Sequence, residues 1–288
     1  APPQPRTDGA DRGPVTKSVE RLPLADAPDC VDSRALPAAF AATLAWPWCV
    51  HAAVVTASAL GLPVLATRAP AVTVLVVSLG GTTWFAWRVA RAPWRRPRER
   101  SERLSSDARA LLTALAVAGA LAFTAAFVVA WALPIVAYDA LGYRLPAIAG
   151  WLDAARIAWV VTDDPVRNGY PLGQEAVSAV VAAATGSLRF ASATSFVYVA
   201  EGALAVWLLA EATRVRRSIA RAAGALFVLA PMVILNAPSG YVDASFGGAV
   251  VALSCTAALL GERAALDPVV AVLSGMAAAH VLSLNGNG

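Results

Sequence analysis

Long apolar segments separated by short polar ones occupy most of the chain after residue 35. A helix needs about 20 predominantly apolar residues to cross the ~30 Å hydrocarbon core of a bilayer. Segments of about this length predict seven membrane spans, at residues 37–62, 70–87, 110–135, 190–211, 221–238, 244–261 and 269–284. Pro47, Pro63 and Pro231 lie inside or beside these segments, so kinks are expected there. The pattern predicts an all-α, polytopic membrane helical bundle.

The composition narrows the class of protein. Of the 288 residues, 58% are hydrophobic and 15% are charged, whereas a soluble domain carries about 25% charged residues. The mean hydropathy is +0.61. These values exclude a soluble globular enzyme and a disordered chain, and three cysteines are too few for a disulfide framework. The formal net charge of +4 reflects two arginine runs between apolar segments, which indicates membrane topology rather than nucleic-acid binding.

The two arginine runs set the predicted orientation, because short loops rich in Arg and Lys stay on the cytoplasmic side of a membrane. With both runs inside, the span at 110–135 runs outward and the span at 190–211 runs inward. The chain between them is then a large outer loop, and the N-terminal tail is cytoplasmic. We therefore predict a multi-pass protein of the cell membrane. The runs consist of Arg88, Arg91, Arg95, Arg96, Arg98, Arg100 and Arg103, and of Arg214, Arg216, Arg217 and Arg221.

Three segments follow from this map. Residues 1–35 are predicted to be a polar, disordered cytoplasmic tail, and residues 36–109 a transmembrane hairpin with the basic cytoplasmic loop. Residues 110–288 are predicted to be a transmembrane module with an outer loop at 136–189. The apolar stretch 176–185 lies within that loop. Its ~13 helical residues reach only ~20 Å, too short for a span, so we predict a short interfacial or re-entrant helix.

Acidic residues gather on the predicted outer face, close to the ends of spans. Asp139 directly follows the outward span, and Asp243 emerges on the same side before a later span. A carboxylate at a membrane boundary can accept a proton from a hydroxyl group while a lipid-borne substrate lies in the bilayer beside it. Position alone favours a simpler role, in which Asp139 ends the span and caps the next helix within an aromatic belt of Tyr138, Tyr143 and Trp151.

Two further polar features each permit two interpretations. The stretch 168–175 carries two glycines, a proline and an acid, and it fits either a plain helix start or a backbone bend that lines a cavity. Glu201 lies in the middle of a predicted span, where an acid is costly. It either marks a cavity or forms a hydrogen bond with a neighbouring helix near Ser195 or Tyr198.

Three short motifs resemble one known family. They are Tyr138-Asp139-Ala140-Leu141-Gly142-Tyr143-Arg144-Leu145-Pro146 with Trp151, then Tyr170-Pro171-Leu172-Gly173-Gln174-Glu175, then Gly240-Tyr241-Val242-Asp243. Together they resemble the N-terminal module of GT-C membrane glycosyltransferases, most closely bacterial enzymes of the protein-mannosyltransferase and aminoarabinose-transferase type. The resemblance covers about residues 110–284 and does not include the tail or the first two spans.

The resemblance implies transfer of one sugar from a polyprenyl-phosphate donor to an acceptor on the outer face, with inversion at the anomeric carbon. It implies that Asp139 is the general base and that Asp243 supports the same cavity. The departing lipid phosphate needs a cation, for which Arg144 is the first choice and Arg167 the second. The substrate contacts that we predict are Tyr143, Arg144, Arg167, Tyr170 and Glu175. The predicted partners are membrane lipid, the polyprenyl-phosphate sugar and a glycan, lipid or protein acceptor.

No cofactor and no metal site are predicted. Relatives often carry a second acid beside the first Asp, where this chain has Ala140. His51 and His280 lie in or near apolar spans and are expected to satisfy local polar contacts rather than to bind metal. The resemblance still leaves a divalent metal open.

Two other functional classes stay open. The chain begins without Met and ends abruptly at Gly288, so we expect a processed or partial protein that lacks later helices of the family. Such a chain could also be a non-catalytic scaffold or partner subunit with the same fold. The third class is a transporter, which predicts acids inside the spans, where Glu201 and Glu211 are among the few present.

Overall fold

The computed structural model describes residues 35–92, 104–161, 173–213, 215–262 and 268–284. Within these ranges the chain is helical and contains no β-strand, which confirms the predicted all-α class. The helices are α1 (Ala35–Ala59), α2 (Arg68–Arg91), α3 (Ser106–Ala132), α4 (Leu145–Asp153), α5 (Gly173–Thr185), α6 (Ser195–Ala212), α7 (Arg217–Leu229), α8 (Pro231–Asn236), α9 (Asp243–Glu262) and α10 (Pro268–Leu284). Short 3₁₀ turns at Leu188–Phe190 and Ser192–Thr194 precede α6.

Five helices among the described residues are long and apolar enough to cross a membrane. They are α1, α2, α3, the segment Leu188–Ala212 that includes α6, and the part of α9 at Asp243–Leu260. Each coincides with a predicted span. Helix α10 is also apolar but has 17 residues, at the short end of the spanning range. The chain is compatible with a multi-pass membrane protein, with five helices of full spanning length where seven spans were predicted.

The segment predicted as one span at 221–238 forms two helices instead. Helices α7 and α8, with 13 and 6 residues, meet at Ala230, whose ψ of 127° lies outside the helical region. Pro231 causes this break because its ring disfavours a helical conformation at the preceding residue, and it has no N–H to donate. Hydropathy detects the apolar character of this segment but not its interruption.

Helix α6 lies at the centre of the bundle and packs against α1, α7 and α9. Helix α1 also pairs with α2, α3 pairs with α7, and α9 pairs with α10. One apolar core joins α1, α2, α6, α9 and α10 and includes Phe40, Val89 and Leu273. A second core joins α1, α2, α4 and α5 and includes Val54 and Val177. The N-terminal pair of helices therefore contributes to both cores.

The short helix predicted within the outer loop corresponds to α5, which has 13 residues. Residues 173–180 are all buried, so neighbours enclose the first two turns of the helix on every side. Helices α1, α2, α4 and α10 provide these contacts. A helix that lies on a membrane surface exposes one polar face. Helix α5 is instead a packed element of the bundle, and its depth in a membrane stays a prediction.

The helices alternate in direction, so their connections meet at two ends of the bundle. At one end, the Leu65 N–H donates to the Ala155 carbonyl at 2.9 Å. We call this end, which carries Asp139 and the start of α9, the loop end. It comprises residues 60–67, 133–157, 186–194 and 237–243.

The opposite end is rich in arginine. Arg88 and Arg91 at the end of α2 line a cavity together with Pro268 at the start of α10. The Arg217 Nε atom lies 3.6 Å from the Glu211 carboxylate, where α6 ends and α7 begins. We call this the arginine end, and among the described residues it comprises 88–92, 212–213, 215–221 and 268–272.

Helices α6 and α9 approach each other backbone to backbone. A Cβ atom on Gly248 of α9 would overlap the Tyr198 carbonyl oxygen of α6, and a Cβ on Gly202 of α6 would lie 3.0 Å from Gly248 Cα. Only glycine permits this approach, because any side chain would force the helices apart. Small residues have this role at helix contacts inside membranes, where close packing stabilises association.

Gly248→Ala should destabilise the folded protein by about 1–3 kcal/mol, because the added methyl group overlaps the Tyr198 carbonyl. Gly247→Ala is the matched control, since a Cβ on Gly247 would meet nothing within 4 Å. Alanine favours a helix more than glycine does, so this control should be neutral or slightly stabilising. Thermal unfolding of the purified protein in detergent compares the two variants, and equal midpoints would contradict the close approach.

Candidate functional site

Asp139 stands at the start of a helix with an unusual first turn. The chain is helical from Tyr138 to Asp153, and it begins with a five-residue π-helix at Ala140–Arg144 that leads directly into α4. Single π-helical turns are rare and occur frequently at functional sites. The Asp139 side chain is half-buried, whereas its neighbour Tyr138 is 83% exposed.

Arg144, the last residue of this π-helix, joins three segments that are distant in sequence. Its Nε atom donates to the Glu175 carboxylate on α5, and its Nη1 atom donates to the Gly240 carbonyl in the turn before α9. Arg144 and Glu175 are 4% and 3% exposed. We call these three residues the Arg144 clamp. A buried ion pair with further hydrogen bonds fixes the relative positions of the segments that carry it.

The turn before α9 also touches the start of the helical segment 138–153. Gly240 has a φ of +87°, and a Cβ on it would lie 3.1 Å from Ile135 Cγ2 and 3.2 Å from Ala140 Cβ. Glycine is therefore required here by both the backbone and the contact. Asp139 directly precedes Ala140, and Asp243 follows Gly240 by three residues. The two predicted acids thus flank one contact, Asp139 half-buried and Asp243 exposed.

The structure brings together four of the seven predicted site residues around this clamp. Asp139 and Arg144 lie on the helical segment 138–153, Glu175 on α5, and Asp243 at the start of α9. Tyr143 lies beside Arg144 on the π-helix and is half-buried. The other two predicted residues, Arg167 and Tyr170, lie outside the described residues.

The contacts of Arg144 bear on its predicted role as the phosphate-binding cation. Its guanidinium is buried and its charge is balanced by Glu175. Glu175 takes the Nε donor of the guanidinium and the Gly240 carbonyl takes Nη1, so little of the buried group is open to a phosphate. The cavity beside it, bordered by Ile135 and Ser178, has a volume of about 10 Å³, which is too small for a sugar. The geometry therefore favours a positioning role for Arg144 over direct phosphate binding.

Sequence reasoning missed the polar contacts beneath this clamp. The Gln174 amide nitrogen lies 2.7 Å from Ser195 Oγ, and Ser178 Oγ lies 2.8 Å from Thr194 Oγ1. All four side chains are buried. They dock α5 onto the start of α6. The sequence did carry a signal for these contacts. Polar residues recur in two segments that are otherwise apolar, and polar side chains that become buried form hydrogen bonds.

A second ionisable pair lies deeper in the bundle. Glu201 on α6 is fully buried, and its Oε2 atom lies 2.9 Å from His280 Nδ1 on α10. The His280 ring stacks on Trp48 of α1 with centroids 5.6 Å apart and planes 9° apart. The pair confirms the predicted alternative of a hydrogen bond to a neighbouring helix, and His280 lies beside Tyr198, with ring centroids 5.4 Å apart. The sequence could have predicted this pair, because Glu201 and His280 each lie in an apolar segment and ionisable residues in such segments often pair with one another.

The described residues contain no group of three or more His, Cys, Asp or Glu side chains that could hold a metal ion. Comparisons of the chain with known protein families, with curated proteins and with solved structures gave no match. The functional argument therefore depends on the residues themselves.

Glu175→Gln should destabilise the protein by about 3–5 kcal/mol, because it leaves the Arg144 charge buried without a counter-ion. Replacing both partners, with Arg144→Met and Glu175→Leu, should recover much of this loss because no unpaired charge remains. Arg156→Gln at an exposed position of the same end is the control and should change stability by less than about 0.5 kcal/mol. A double-mutant cycle on unfolding in detergent measures the coupling, and additive effects would show that the pair is not formed.

Proposed function

We propose that the chain is the N-terminal module of a membrane glycosyltransferase that uses a polyprenyl-phosphate sugar, with Asp139 as the general base. The observation that carries the proposal is the Arg144 clamp, which holds the Asp139 segment against the turn that leads to Asp243. The motifs that resemble the GT-C family lie on the three segments that this clamp joins. The π-helix beside Asp139 adds support, because such turns occur frequently at functional sites.

The proposed reaction is an inverting substitution at the anomeric carbon. The acceptor hydroxyl oxygen forms a bond to that carbon while the bond from the carbon to the donor phosphate oxygen breaks. Asp139 takes the hydroxyl proton, and the polyprenyl phosphate leaves with the electron pair. A positioned carboxylate suits this step, because the proton is lost as positive charge develops on the sugar ring.

The other residues have supporting roles in this proposal. Arg144 holds the Asp139 helix in place through Glu175 and Gly240, so the cation for the leaving phosphate is Arg167. Asp243, which is exposed at the start of α9, orients the acceptor. Tyr143 and Tyr170 are the proposed substrate contacts, together with Glu175 through its pairing with Arg144.

Replacing Asp139 with Asn should lower sugar transfer by about 10²–10⁴-fold, because the amide cannot accept the proton. Asp153→Asn, at an exposed acid on the same helical segment, is the matched control and should keep full activity. Asp243→Asn should cause a smaller loss. The assay measures transfer from labelled polyprenyl-phosphate sugars in membranes that carry the full-length gene product, with equal protein levels. Full activity of Asp139→Asn would overturn the assignment of the base.

We also propose that the loop end faces the outside of the cell membrane. The arginine end carries Arg88, Arg91, Arg216, Arg217 and Arg221, and positively charged loops stay in the cytoplasm.

Single cysteines test this orientation in a variant that lacks the three native cysteines. Asp153→Cys at the loop end and Thr213→Cys at the arginine end both replace exposed residues. A membrane-impermeant maleimide added to intact cells should label the first and not the second. After the cells are opened, both should react, which controls for accessibility. The reverse pattern would invert the proposed topology.

Proton-coupled transport is the second candidate, and one observation favours it. Glu201 and His280 form a fully buried pair within the spans, and intramembrane acid–histidine pairs occur in proton relays. Substitutions of Glu201 and Asp139 distinguish the two candidate functions. Transport requires Glu201 and tolerates Asp139→Asn, whereas sugar transfer requires Asp139.

A further inference from the structure

A groove lies between α3, α6 and α7 and is open at the surface of the bundle, where Thr124 of α3 is exposed. It has a volume of about 410 Å³. Among the described residues that line it, all are apolar or glycine except Thr124, Trp207 and Arg221. Phe123 of the lining packs edge-on against Phe196 of α6, with ring centroids 5.3 Å apart, and this contact closes one end of the groove. The groove is therefore an apolar recess with one closed end.

The groove runs parallel to the helices, from the arginine end towards the middle of the bundle. Its lining covers residues 116–124 of α3, 200–207 of α6 and 221–228 of α7. Helices α3 and α7 begin at the arginine end and α6 ends there, so Trp207 and Arg221 lie at the mouth of the groove on that side. At a rise of 1.5 Å per residue, each stretch is about 10–12 Å long. The groove therefore extends from the charged end of the bundle into its apolar part.

Arg221 places a positive charge at the mouth of the groove. Its guanidinium carbon lies 5.6 Å from the centre of the Trp207 ring, and the Trp207 Nε1 atom donates to the Glu211 carboxylate at 2.9 Å. That carboxylate also lies 3.6 Å from Arg217 Nε, so Arg217 balances its charge. Among the described residues no carboxylate forms an ion pair with Arg221, which is exposed. A ring held in place thus supports an uncompensated cation beside an apolar groove.

We propose that the groove binds an anionic phospholipid, with one acyl chain in the apolar part and the phosphate against Arg221. The apolar lining suits a hydrocarbon chain, and the helices direct that chain along the bundle, as lipid chains lie in a bilayer. At the mouth, a guanidinium can form charge-assisted, bidentate hydrogen bonds with a phosphate. Tryptophan rings are enriched at the level of the lipid headgroups, which suits Trp207 at this position. Basic pockets between membrane helices bind anionic headgroups in this way.

Two other occupants fit the groove less well. A volume of about 410 Å³ along a length of about 12 Å gives a mean width of about 6–7 Å, whereas an α-helix with its side chains is about 10–12 Å across. A helix of a partner protein is therefore too wide for the groove. The polyprenyl-phosphate donor is proposed to react beside Asp139 at the loop end, which is the opposite end of the bundle from Arg221. The phospholipid is a different molecule, and its binding does not depend on the sugar-transfer proposal.

Photo-crosslinking tests the proposal in the full-length protein, held in vesicles of phosphatidylcholine. One preparation contains a small fraction of phosphatidylglycerol with a diazirine in one acyl chain, and the other contains phosphatidylcholine with the same modified chain. After irradiation, mass spectrometry of the digested protein locates the attached lipid. We expect the anionic probe to label the three stretches of the lining about fivefold more than the zwitterionic probe, the effect of one arginine near a membrane surface. Equal labelling by the two probes, or stronger competition by polyprenyl phosphate than by unlabelled phosphatidylglycerol, would overturn the proposal.

Two variants test the two parts of the lipid separately. Arg221→Gln should lower labelling by the anionic probe about fivefold and leave labelling by the zwitterionic probe unchanged. Ala120→Phe, at an exposed position that lines the groove, should exclude the acyl chain and lower labelling by both probes. As matched controls, Arg91→Gln removes the same charge elsewhere at the arginine end, and Ala118→Phe adds the same ring at an exposed position of α3 outside the lining. Both controls should label the groove as the wild type does. Reduced labelling in a control, or wild-type labelling in Arg221→Gln or Ala120→Phe, would contradict the site.

Discussion

The buried pair of Arg144 and Glu175 is the constraint on which the arrangement of the loop end depends. Removing either charge from water costs several kcal/mol unless its partner is already in place. Glu175 is 31 residues from Arg144, and Gly240 is 96 residues away. Neither the helical segment 138–153, which carries Arg144, nor α5, which carries Glu175, can therefore bury its own part of the clamp alone. The segments that carry Asp139 and Asp243 take their positions together, as one unit.

Packing within the bundle follows a different physical rule. Apolar side chains gain little by moving from lipid to protein, so close backbone contact and polar links between helices stabilise the bundle. Helix α6 uses both: Gly202 meets Gly248 of α9 directly, and Glu201, the preceding residue, binds His280 of α10. Adjacent positions on one helix thus hold two different neighbours. This explains why α6 is central although its sequence is as apolar as that of the peripheral helices.

Hydropathy predicted the features that depend on one segment at a time. The segments predicted as spans at α1, α2, α3, α6 and α9 are helices long enough to cross a bilayer, because a helix pairs all the backbone groups of a long apolar run internally. The break before Pro231 was not predicted, because proline inside a membrane helix causes either a kink or a break, and neighbouring contacts decide between them. Burial of the first two turns of α5 on all sides was not predicted, because the short length of the apolar stretch indicated only that it could not span a bilayer. The partners of Gln174 and Glu175 lie on other segments that the local pattern does not identify.

Tyr198 is the point at which three helices of the bundle meet. Its carbonyl oxygen lies against Gly248 of α9. Its ring contacts the His280 ring on α10, with centroids 5.4 Å apart and planes 69° apart, and His280 in turn binds Glu201, about one helical turn beyond Tyr198 on α6. Because protein interiors are closely packed, a residue held on two sides cannot move without displacing its neighbours. Packing at Tyr198 therefore holds the deeper ion pair in place from α6, α9 and α10 together.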